Sequence, residues 1–115
     1  MLDTTSGERS LTMKHLVQIH VTPQAGLDLE DRPGGPGPVI GRVVERFKPE
    51  AVYMSPAQRA LFLVCELSPA DMAELMATAT RFAGQHPTFI PVIDGKDFGS
   101  VVGAAMPAAK KLVDG

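Results

Sequence analysis

The run Arg59-Ala60-Leu61-Phe62-Leu63-Val64-Cys65-Glu66-Leu67 decides the fold. Leu61, Leu63, Cys65 and Leu67 share one parity, and Ala60, Phe62 and Val64 the other. Successive side chains of a strand point to opposite faces, so a strand here is apolar on both sides and belongs in the middle of a sheet with both faces covered. Just upstream, Ala51 to Met54 reads as a short strand and Ser55-Pro56-Ala57-Gln58 as a turn, which makes the two strands a hairpin.

The flanking segments complete the pattern. His15 to Thr22 alternates, with Val17, Ile19 and Val21 on one parity and Leu16, Gln18 and His20 on the other, the period of a half-buried strand. Thr22 to Gly37 is rich in Pro and Gly and reads as an irregular loop, of a length that is usually functional or disordered. Pro38 suits a first helical turn, after which Val39, Ile40, Val43, Val44 and Phe47 form an apolar stripe that ends before Pro49. Ser68 and Pro69 open a second helix, with Asp71 near its N-terminus, Met72, Leu75, Met76, Ala79 and Phe82 on one face, and Gly84 at its end. His86 to Ile93 is a strand whose Pro87 and Pro91 each lack a ladder donor, which confines it to an edge. A last helix carries Phe98, Val101, Val102, Ala105, Met106, Ala109, Leu112 and Val113, and Pro107 is expected to kink or split it. The order strand, helix, strand, strand, helix, strand predicts an α+β domain with a four-stranded antiparallel sheet. The first and third strands are central, the helices lie on one face, and a C-terminal helix is added.

Composition narrows the rest. The chain has 115 residues, 44% hydrophobic and 21% charged, enough for one domain with a modest core. Residues 1–12 lack an apolar pattern and are expected to be a flexible tail, leaving residues 13–115 as the domain. The formal net charge of −2 and the lack of a Lys/Arg run argue against nucleic acid as a partner. No apolar stretch reaches the roughly 18 residues of a membrane span, and the N-terminus lacks a signal-peptide core. Cys65 has no partner for an internal disulfide and reads as a buried thiol in a reducing, cytoplasmic setting.

Four stretches carry a resemblance to a known architecture: Lys14-His15-Leu16-Val17-Gln18-Ile19-His20, Phe47-Lys48-Pro49-Glu50-Ala51-Val52-Tyr53, Arg59 to Glu66, and Pro91-Val92-Ile93. Over about residues 14–98 the chain resembles the ferredoxin-like, dimeric α/β-barrel superfamily, and within it small uncharacterised bacterial proteins with the same Lys-Pro-Glu-Ala-Val-Tyr stretch. The resemblance implies a homodimer paired through its open sheet faces around a central cavity. Its members include isomerases, polyketide-type cyclases, monooxygenases and haem-binding enzymes, so it implies little about reaction.

The residues themselves offer few sites. His15 and His20 are five apart on a strand and face opposite sides, and with His86 they have no metal-ligand spacing, so neither a metal nor a cofactor is expected. Gly34-Gly35-Pro36-Gly37 precedes a helix without the Lys-Ser/Thr of a phosphate loop and reads as a hinge, and Gly99 and Gly103 read as incidental. On the open face, Gln18, His20, Tyr53 and Phe62 are the ligand-pocket candidates, with His20 and Tyr53 expected close together at one end of the sheet. The competing reading makes them amphipathic residues of a dimer interface. Glu66 falls at the opposite end, where an ion pair to Lys14 or Arg59 competes with a pocket role. The function these readings favour is a homodimeric small-molecule-binding protein, or an accessory enzyme with isomerase- or cyclase-like acid/base chemistry on a hydrophobic metabolite. The alternative is a non-catalytic dimeric interaction or regulatory module.

Overall fold

The computed structural model describes residues 11–115; the expected tail at residues 1–12 therefore lies almost wholly outside the described residues. Four strands, β1 (Met13–His20), β2 (Ala51–Ser55), β3 (Ala60–Leu67) and β4 (Thr88–Pro91), form one antiparallel sheet in the order β2-β3-β1-β4. The doubly apolar β3 is central, beside β1, and the proline-bearing β4 is an edge strand of only four residues. Burial decides which parity of each strand faces the helices: Val17, Ile19, Leu61, Leu63, Cys65 and Leu67 are all buried on one face.

Helices α1 (Pro23–Glu30), α2 (Gly37–Phe47) and α3 (Pro69–Ala83) cover that face through Leu29, Val43, Phe47, Leu75, Ala79 and Phe82. The first of them is a correction: half of the expected 22–37 loop is helical. Thr22 caps it, its Oγ1 accepting from the Ala25 N–H at 3.2 Å, and Pro23 occupies the first turn, where its missing N–H costs nothing. Tertiary burial of Leu29 then outweighs the weak local pattern.

The α3 start follows its sequence signals. The Asp71 N–H donates to Ser68 Oγ at 3.1 Å while the Ser68 N–H donates to Asp71 Oδ2 at 3.0 Å, a reciprocal capping box. Burial works to raise the Asp71 carboxyl pKa, but hydrogen bonds from the Ser68 backbone and hydroxyl and from Arg46 outweigh it and leave the group below its ordinary value. Arg46 also grips Glu74 at 2.7 Å, tying α2 to α3. Gly84 ends α3 at φ 81°, and a Cβ there would strike Thr22 Oγ1 at 2.6 Å, so the absence of a side chain lets the α3 terminus abut the α1 cap.

The last helix, α4 (Phe98–Asp114), follows a short 3-10 turn (Gly95–Asp97) and runs unsplit through Pro107. None of its 17 residues is buried. The radius of gyration, 17.8 Å, accordingly exceeds the roughly 13 Å of a compact domain of this length. The other sheet face, with Leu16, Phe62 and Val64 half-buried and Ile90 exposed, has no helix of the buried core over it, so the covering expected from β3 is not supplied by α1, α2 or α3.

Candidate functional site

An open cavity lies on the helix side of the sheet. It opens where β1 ends and the β2–β3 hairpin begins, under α1 and the start of α2, and has a volume of about 360 Å³. Leu29, Ile40, Leu61 and Phe82 make its walls apolar, each contributed by a different element. Glu30 and Arg59 are the charged residues of its lining.

Local structure fixes Arg59. The Gln58 N–H donates to the Ser55 carbonyl at 3.3 Å, closing a turn with Pro56 in its second position. Arg59 then takes φ 51°, the left-handed conformation that hairpin loops of this kind usually assign to Gly or Asn. Its carbonyl accepts from the Val21 N–H at 2.9 Å, which pins the turn to the end of β1. The guanidinium lies on Gly26 of α1, where a Cβ would overlap Nη1. Nη1 stands 3.7 Å from Glu30 Oε2, beyond hydrogen-bond reach.

The residues singled out from the sequence sit elsewhere. Gln18, Phe62 and Tyr53 are register partners and form one row across β1, β3 and β2 on the open face. His20 meets Phe62 edge-on with ring centroids 6.0 Å apart, and its carbonyl accepts from Gln85 Nε2 at 2.7 Å. His20 and Tyr53 share this face and this end of the sheet, two strands and two residues apart, or about 12 Å between Cα atoms. Tyr53 is 65% exposed, and none of the four lines the cavity. Lys14 pairs with Glu50 at 3.0 Å and Asp94 at 3.1 Å, and Arg59 with Glu30, so neither takes Glu66. Hydrogen bonds to Glu50 and Asp94 raise the Lys14 pKa above its ordinary value.

Two buried titratable groups face each other on the helix side. His15 and Cys65 are register partners, and His15 Nδ1–H donates to the Met13 carbonyl at 2.8 Å. Burial, with the Asp71 and Glu50 charges, pushes the Cys65 thiol up to about 11, which keeps it protonated and unreactive at neutral pH. Among the described residues, no three His, Cys, Asp or Glu side chains gather as a metal site, and no helix is long and apolar enough to cross a membrane.

Sequence reading missed Glu30, Gly26 and Arg59. The available signal was Arg59 itself, a long charged residue directly after Ser-Pro-Ala-Gln, where a turn of this length favours Gly or Asn. Comparison with protein-family models, with curated proteins and with solved structures finds no match for the chain.

Proposed function

We propose that the chain is a homodimeric small-molecule-binding protein that holds an apolar ligand in the helix-side cavity. The observation that carries this reading is the cavity itself: about 360 Å³, walled by aliphatic and aromatic side chains, with its charge confined to Glu30 and Arg59.

The ferredoxin-like grouping is part of the proposal, supported by central β1 and β3 and edge β2 and β4. So is pairing through the open sheet faces. A four-stranded face of about 300 Å² is close to the largest apolar patch a monomer usually exposes, and Leu16, Phe62, Val64 and Ile90 supply its apolar centre. A cytoplasmic setting is supported by Cys65, a buried free thiol. The second reading, a dimeric interaction module without a ligand, is favoured by that same uncovered face.

Native mass spectrometry of the full chain purified from its own host tests the proposal. A dimer carrying a small apolar mass supports it. A bare monomer whose melting temperature does not move across a panel of apolar amphiphiles overturns it, and a bare dimer with the same indifference selects the interaction module.

A further inference from the structure

We infer that Arg59 is the head-group anchor of this cavity and that its ligand is a medium-chain aliphatic monocarboxylate. The inference rests on the binding reading above and adds the ligand's chemistry to it. Three independent observations point the same way.

The first is placement. Arg59 shares the cavity's lining with Leu29, Ile40, Leu61 and Phe82, so one ligand can fill the apolar interior and still reach a guanidinium. At about 360 Å³ the cavity stands at the small end of ligand pockets, which run from about 300 to 1,000 Å³, so a medium-length chain such as that of decanoate suits it.

The second is unused bonding capacity. A guanidinium carries five N–H donors in a planar fork that matches a carboxylate. The ion pair formed by Arg59 is with Glu30 at 3.7 Å, too long for a hydrogen bond, with the two side chains 50% and 58% exposed. So loose and exposed a pair is weak and gives way readily to a bidentate carboxylate.

The third is the backbone. Arg59 holds a left-handed φ of 51° where Gly or Asn would be at ease, and helix α1 leaves Gly26 without a side chain where the guanidinium lies. A strained residue and a vacated seat on separate elements both serve the position of one guanidinium.

Calorimetric titration of the full chain with decanoate, decanol and decylamine, each below its aggregation threshold, tests the assignment. Decanoate is expected to bind at least about tenfold tighter than decanol, the strength of a hydrogen bond to a charged group. Arg59→Gln should erase that preference, and Arg59→Lys should retain only part of it. Glu30→Gln should tighten decanoate binding severalfold by removing the competing carboxylate, which keeps the test open if an Arg59 variant folds poorly. Equal binding of decanoate and decanol, or a preference for decylamine, overturns the anchor and leaves the cavity reading standing. Binding of none of the three overturns both.

Discussion

Gly26→Ala separates the role of the glycine seat from its cost to the helix. Gly26 lies inside α1 with its N–H donating to the Thr22 carbonyl at 2.9 Å. In a helix interior, Ala is favoured over Gly by about 0.8–1 kcal/mol. Against that gain, the new Cβ would overlap Arg59 Nη1 and come within 3.4 Å of Cζ, the far end of a flexible side chain, which must swing aside. What is lost is an ion pair 50% and 58% exposed at its two ends, worth about 0–1 kcal/mol. The balance is a change of about 0 to +1 kcal/mol, and for this length 1 kcal/mol corresponds to a melting shift of about 4 °C. The variant is therefore expected to melt no lower than the parent, and up to about 4 °C higher, while decanoate affinity falls about tenfold. Circular dichroism melts and calorimetric titration give the two numbers on one sample. A variant that melts several degrees lower would refute the premise that Arg59 can move aside. Unchanged decanoate affinity would refute the premise that Gly26 seats the guanidinium.

Ser68→Ala removes a buried N-cap and should cost about 1–2 kcal/mol in urea unfolding. Because the folded Asp71 carboxyl lies below its ordinary pKa of 3.8, its contribution is complete above that value and is lost as pH falls through the folded value; Asp71→Asn should flatten this part of the acid-unfolding curve. Removing residues 98–115 should leave the melting temperature within about 2 °C, since α4 buries none of its residues; a larger fall would mean that α4 packs on the domain in solution. Phe62→Asp puts a charge at the centre of the open face and should convert a dimer to a monomer in light scattering at micromolar concentration, whereas a dimeric variant would move the pairing surface elsewhere.

The sheet was legible in the sequence because period-two patterning is local and burial enforces it. A one-residue slip of β3 would carry Leu61, Leu63, Cys65 and Leu67 away from the helices, so burial fixes which parity of the strand faces them. The edge position of β4 followed from the donors that Pro87 and Pro91 lack, and the α3 start from Ser68 and Asp71, each a property of residues adjacent in the chain. Helix α1 was not read from the sequence: Thr22 and Pro23 are a local start signal, but Gly26 and the Pro/Gly-rich stretch that follows obscured it, and the burial of Leu29 that holds the helix exists only once the sheet is formed. The open-face residues Gln18, His20, Tyr53 and Phe62 could be assigned to one side by parity, but parity says nothing about where empty volume remains. The cavity is such a volume, left between α1, α2, α3 and the β2–β3 hairpin. Only tertiary packing brings Gly26, Glu30 and Arg59 to it, because their proximity depends on how α1 settles against the β2–β3 turn and on no pattern within either segment.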